Sequence, residues 1–117
     1  MPKYHQPGDS IYTVVQEPPK YKAGEFEFYV DLLERVEYIG WPMDEWQSQV
    51  VIEFVVDING IVKDAKIKGK NKNEYTNMEK AFVKAIEGMK GWKVGFIEGV
   101  KVPTCIVRCI RVGRPTN

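Results

Sequence analysis

Apolar and polar residues alternate most cleanly from Gln49 to Lys68, in the stretch QVVIEFVVDINGIVKDAKIK. Val50, Ile52, Phe54 and Val56 fall two apart, so they share one face of a strand. Ile61, Ala65 and Ile67 repeat on the return strand, with Lys63 interrupting the stripe. Asn59-Gly60 between them suits a two-residue turn with positive φ at both positions. The stretch predicts a β-hairpin, and a lone hairpin is marginal in water, so the remaining chain has to cover its apolar face.

Two segments switch to a helical period. In Glu25 to Ile39, Phe26, Tyr29, Val30, Leu33 and Val36 form one face, and Phe28 and Leu32 widen it. Glu25 and Glu27 suit the positive end of a helix dipole. Gly40-Trp41-Pro42 ends the segment, because the residue before proline disfavours the helical region. Trp41 and Trp46 are either core lids or exposed contact residues. In Thr76 to Lys90, Thr76 and Glu79 have capping-box spacing. Ala81, Phe82, Ala85, Ile86 and Met89 form a narrow stripe that lets this helix approach a sheet, and Gly88 or Gly91 can take the left-handed cap position.

The remaining strands are shorter or less regular. Ile11 to Val15 is read as a short first strand, and Pro18-Pro19 stops regular pairing after it. Trp92 to Ile97, a Glu98-Gly99 turn and a long last strand over Lys101 to Val112 close the chain. On that last strand Thr104, Ile106, Arg108, Ile110 and Val112 share one face, and Cys105, Val107, Cys109 and Arg111 the other. The predicted class is α+β: a mainly antiparallel sheet in β-α-β-β-α-β-β order, with two helices packed on one face. We expect a single domain over residues 1–117, with residues 1–16 a loosely ordered lead-in and residues 113–117 a tail.

A length of 117 residues suits one core. A net charge of +1 provides no global field for nucleic acid, anionic lipid or acidic substrates. Lys66, Lys68, Lys70 and Lys72 would share a face if the strand continued, which reads as a solvated edge that discourages stray pairing. No nucleic-acid partner is expected, because interleaved stacking aromatics are missing. The most apolar run, Val50 to Val56, is far short of the ~20 residues of a membrane span and contains Glu53. No signal peptide is read at Pro2 to Ser10, which is polar. Cys105 and Cys109, four apart on a strand, would lie ~13 Å apart, beyond the ~7 Å that a disulfide spans.

Catalytic residues are not found. The only histidine, His5, lies in a polar lead-in without ligand-spaced partners. Glycine-rich phosphate loops are absent. Glu25/Glu27 and Glu34/Glu37 read as solvated helix faces. The expectation is a binding module, with no enzyme activity, cofactor or metal site.

Trp92-Lys93-Val94-Gly95, then Glu98-Gly99-Val100-Lys101-Val102-Pro103, together with Phe54-Val55-Val56-Asp57-Ile58-Asn59-Gly60-Ile61-Val62-Lys63-Asp64-Ala65-Lys66-Ile67, resembles the C-terminal domain of TonB, the energy transducer of Gram-negative outer-membrane transport. The likeness is to the Bacteroidetes-type branch, where a V-V-D-x-x-G-x-V-x-D-x-x-V hairpin precedes a helix, then W-K-P-G, a turn ending in Gly, and a final strand. Pro18 to Gly24 is similar to that branch's P-x-F-P-G-G lead-in, and Trp41-Pro42 to its Tyr-Pro. Val94 stands where the family has proline, and Ser48 where it has glycine. The family's membrane anchor and Pro-rich spacer have no counterpart in this sequence, so it reads as an excised periplasmic domain or a stand-alone module. The resemblance implies a periplasmic location and a receptor peptide (a TonB box) added as a strand beside the last strand. The expected partner-binding residues are Thr104, Cys105, Ile106, Val107, Arg108, Cys109, Ile110, Arg111 and Val112, with Trp41 and Pro42. A proline at Ile106 or Val107 is expected to weaken binding more than folding. The alternative is a structural or homodimerisation domain that pairs through the same strand and has no receptor role.

Overall fold

A computed structural model describes residues 11–36 and 49–111. His5, Trp41, Pro42, Trp46, Val112 and the predicted tail lie outside the described residues. The described chain is α+β, with antiparallel strands and two helices. The elements are β1 (Lys20–Tyr21), α1 (Glu25–Arg35), β2 (Gln49–Val56), β3 (Val62–Ile67), α2 (Asn77–Ile86), β4 (Trp92–Lys93), β5 (Gly95–Ile97), β6 (Val100–Val102) and β7 (Thr104–Arg111). The main sheet has the order β3-β2-β7, all antiparallel. Two small ribbons, β1-β4 and β5-β6, stand beside it.

The predicted hairpin is present, and Val50, Ile52, Phe54 and Val56 are all buried on one face. Its turn differs. Asn59 does not take positive φ; only Gly60 does, at +77°. The connection is longer because the Asp57 carboxylate organises it. Its Oδ1 accepts from the amides of Asn59 (2.9 Å) and Ile61 (3.0 Å), an Asx-type turn. Among the described residues, the buried Oδ2 meets only the Lys63 ammonium, 3.0 Å away. Burial alone would raise the Asp57 carboxyl, but the Ile61 amide, Lys63 and the Asn59 amide together hold it below the ordinary carboxylate range.

The return strand also differs. Its buried positions are Val62, Ala65 and Ile67. The register against β2 shifts by one between Glu53 and Val55, and Asp64 there has φ +52°. One extra residue in β3 is a bulge, and it reverses the facing of the residues on either side of it. Lys63 therefore does not break the apolar stripe; it points away from the core to Asp57.

Both helices lie on the apolar face of the sheet. In α1 the fully buried residues are Phe28 and Leu32, whereas Phe26 is 75% exposed. The sequence offered apolar residues on most of the helix surface, and packing selected the stripe centred on Phe28 and Leu32. The helix ends at Arg35, before the predicted Ile39, because Val36 is already extended. Arg35 then donates from Nε to the Ala85 carbonyl (2.5 Å), tying α1 to the end of α2. Thr76 caps α2 as predicted, with Glu79 closing the reciprocal bond. Tyr21, Phe28, Phe54 and Trp92 meet edge-on or tilted, with Trp92 5.2–5.5 Å from the other three. Such pairs add to area burial.

Three expected strands are corrected. Trp92 to Ile97 is not one strand but two, β4 paired with β1 and β5 paired with β6. Ile11 to Val15 forms only a single bridge, Tyr12 to Thr104. Pairing resumes directly after Pro18-Pro19, in β1. The last strand is two strands, because Pro103 has no amide hydrogen to carry a ladder through; β6 pairs with β5 and β7 with β2. The lysine face does not form either. β3 stops at Ile67, Gly69 turns the chain at φ +80°, Lys66 pairs with Glu53 and Lys70 with Glu79.

Candidate functional site

The main sheet has two outer edges, and the chain treats them differently. On β3 the outward amide donors are all occupied. Val62 donates to the Met89 carbonyl (2.9 Å), Ala65 to Glu87 Oε2 (2.8 Å) and Ile67 to Tyr75 Oη (3.1 Å). A carboxylate, a phenol and a loop thus close that edge against a further strand.

On β7 the outer edge starts closed and then meets no described strand. Cys105 donates its amide to the Tyr12 carbonyl (2.8 Å), and Tyr12 donates to the Pro103 carbonyl (3.0 Å). The Cys105 amide therefore points away from β2. Backbone direction alternates along an antiparallel strand, so Thr104, Ile106, Arg108 and Ile110 bond to β2, while Val107, Cys109 and Arg111 turn their amides and carbonyls outward. Among the described residues no strand lies beyond them. The one described bond on that row is from Arg108 Nη1 to the Val107 carbonyl (3.1 Å).

The predicted site residues separate accordingly. Thr104 is buried, with its hydroxyl donating to the Val102 carbonyl (3.1 Å). Ile106 is half-buried against the core, and Ile110 is buried. Arg108, on the helix-bearing face, forms a forked pair with Glu25 at the start of α1: Nη2 to Oε1 is 3.0 Å, and Nε is 3.2 Å from both oxygens. On the opposite face Val107 is 40% exposed, and Cys109 is exposed with its Sγ 3.5 Å from Gln49 Oε1. Cys105 is half-buried. Burial, and then the Glu53 carboxylate 3.5 Å from its Sγ, push its thiol up to about 11. Both cysteines are free.

Two clefts flank β7. One, of about 350 Å³ on the helix-bearing side, is lined by Pro18, Pro19, Lys20, Tyr21, Lys93 and Arg108, with Gly24 and Glu25 at the start of α1. The other, of about 420 Å³, is lined by Thr13, Glu53, Lys68, Cys105 and Val107, with Ile106 and Arg108. The second places the Cys105 thiol against the Glu53 carboxylate, a contact that raises the thiol rather than activating it. Among the described residues no group of three or more His, Cys, Asp or Glu is placed to hold a metal ion, and no helix is long and apolar enough to cross a membrane.

Sequence reasoning missed Tyr12, Tyr75 and Glu87, which close edges, and Lys20, Lys93 and Glu25, which line the cleft at Arg108. No local pattern marks them: most act on partners distant in the chain, and Tyr75 reaches back across a turn to Ile67. Comparison with protein-family models, with curated proteins and with solved structures finds no match for this chain.

Proposed function

We propose that the chain is a non-catalytic protein-binding module of the TonB C-terminal type, which takes an extended peptide from a partner protein as an added strand along β7. The observation that carries this reading is the contrast between the two edges. Every outward amide donor of β3 at Val62, Ala65 and Ile67 is engaged, whereas the outward row at Val107, Cys109 and Arg111 meets no described strand. An unpaired strand edge is a template for pairing that proteins otherwise cover. The sequence likeness of hairpin, capped helix, Trp92-Lys93 and last strand supports the same family and the same strand. The periplasm, a receptor peptide and energy-dependent outer-membrane transport enter as the setting which that likeness implies.

The backbone alternation refines the test. The Ile106 amide faces β2, so Ile106→Pro breaks the sheet and is the wrong probe. The Val107 amide faces outward, so Val107→Pro removes a donor that folding does not use, and an edge strand tolerates proline there. The expected result, in a pull-down against outer-membrane receptor plug peptides, is that Val107→Pro folds with wild-type circular dichroism and loses binding. A folded Val107→Pro that binds as wild type refutes the edge.

One observation favours the second reading, a homodimerisation domain. The outward positions 107, 109 and 111 are centred on Cys109. A two-fold antiparallel pairing of this row with a second copy sets Cys109 opposite its own counterpart in a hydrogen-bonded pair, where Cα atoms lie ~5.5 Å apart. That separation falls within disulfide range.

A further inference from the structure

The cleft beside Arg108 carries more positive charge than its own residues neutralise. Three cations, Lys20, Lys93 and Arg108, line it, and Glu25 is the one carboxylate among its lining residues. Lys20 and Lys93 stand directly opposite each other in the β1-β4 ribbon. Like charges in that position are destabilising, so the ribbon forms despite this pair. Glu25 does not relieve it, because its carboxylate is already in the fork of Arg108. Pro18, Pro19 and Tyr21 give the same cleft an apolar wall.

The register of β7 makes this charge relevant to a guest strand. Arg108 bonds through its backbone to β2, so a residue added opposite it on the outer edge forms a non-hydrogen-bonded pair. In such pairs the Cα atoms are ~4.5 Å apart and the side chains approach most closely. Both side chains project to the same face, which at Arg108 is the face of the cleft. We infer that the cleft of Lys20, Lys93 and Arg108 is a carboxylate subsite, selecting an added strand that carries Asp or Glu opposite Arg108. This rests on the strand-addition reading and sets its specificity. Glu25 is the intramolecular competitor: its carboxylate occupies the guanidinium that the guest carboxylate takes over.

The test uses the full chain, ¹⁵N-labelled, and three peptides differing at one position: Ac-Thr-Val-Thr-Glu-Thr-Val-Thr-NH2 and its Gln and Lys analogues. The amides of Val107, Cys109 and Arg111 report strand addition, and the ratio of dissociation constants reports the cleft. The Glu peptide is expected to bind about fivefold more tightly than the Gln peptide, the upper range for exposed ion pairs, with the Lys peptide weakest. The advantage shrinks in 0.5 M NaCl, since screening acts on partly exposed charges. Lys93→Glu and Lys20→Glu, both at exposed positions, are expected to abolish it, and Glu25→Gln to increase it. If all three peptides shift the edge amides with equal affinity, the subsite is refuted and strand addition stands. If none shifts them, strand addition fails and the subsite falls with it. Shifts confined to Lys20 and Lys93 would overturn this register.

Discussion

The turn of the hairpin and the strand that carries Lys93 meet at one glycine, and the consequence is measurable. Gly60 has φ +77° and accepts the Trp92 amide at its carbonyl (3.2 Å). A Cβ at Gly60 would run into the Trp92 carbonyl oxygen, a backbone atom that no side-chain rotation can move aside. Gly60→Ala therefore carries two costs. The left-handed backbone costs a non-glycine residue about 1–2 kcal/mol. Relieving the clash displaces Trp92 from Gly60, losing a hydrogen bond worth ~1 kcal/mol and loosening the Trp92 ring among Tyr21, Phe28 and Phe54. The expected total is about 2–4 kcal/mol, a large share of a typical ~5–15 kcal/mol domain stability. Gly69→Ala is the matched control: its φ is +80° and nothing lies within 4 Å of an added Cβ, so it bears only the backbone cost of about 1–2 kcal/mol. Urea unfolding of both variants, compared at constant m-value, isolates the contact. Gly60→Ala is expected to be the less stable by roughly 1–2 kcal/mol. Equal losses would refute the reasoning, since they would mean that the turn is not locked against β4.

The Asp57 carboxyl, held below its ordinary range, stabilises the fold above the unfolded carboxylate pKa of ~3.9 and loses that contribution as pH falls through the lower folded value. Asp57→Asn should cost about 1–3 kcal/mol at pH 7 and flatten the pH dependence of urea unfolding between neutral and acid conditions; an unchanged slope counts against the turn assignment. With Ellman's reagent at pH 8, exposed Cys109 should react well before Cys105, whose thiol is half-buried and raised to about 11. If β7 pairs with its own copy, oxidised glutathione should produce a disulfide-linked dimer that Cys109→Ser abolishes and Cys105→Ser keeps; no dimer under those conditions counts against the homodimer reading. Glu87→Ala should uncover the Ala65 amide and cause concentration-dependent association by light scattering, which the wild-type β3 edge resists.

Periodicity made much of the fold legible. The stripe of Val50, Ile52, Phe54 and Val56, the Thr76 cap with Glu79, and the two faces of the last strand from Thr104 to Arg111 are local patterns, and these are found. Pattern and structure part where a local signal is ambiguous. α1 has apolar residues around most of its circumference, so its period did not distinguish a Phe28-Leu32 face from a Phe26-Val30 face. Asn59-Gly60 signals a short turn, but a buried Asp57 carboxylate satisfies a longer one. A single bulge at Asp64 reversed facing in β3, which composition does not reveal. For the candidate site, the sequence singles out the last strand but not which of its amides face outward: that depends on which neighbour the strand pairs with.

The sequence by itself determined the elements whose residues lie within one strand or one helical turn of each other, because periodicity and capping act over that range: the hairpin, both helix starts, and an apolar-faced last strand. Only the tertiary structure decided what is done with them. Placing β7 beside β2 turns Val107, Cys109 and Arg111 outward, while the surrounding segments bring Tyr12, Tyr75 and Glu87 over the other donors and Lys20, Lys93 and Arg108 around one cleft. Most of those relations join residues far apart in the chain, and such contacts form only once the core has closed and offset the loop entropy of bringing them together.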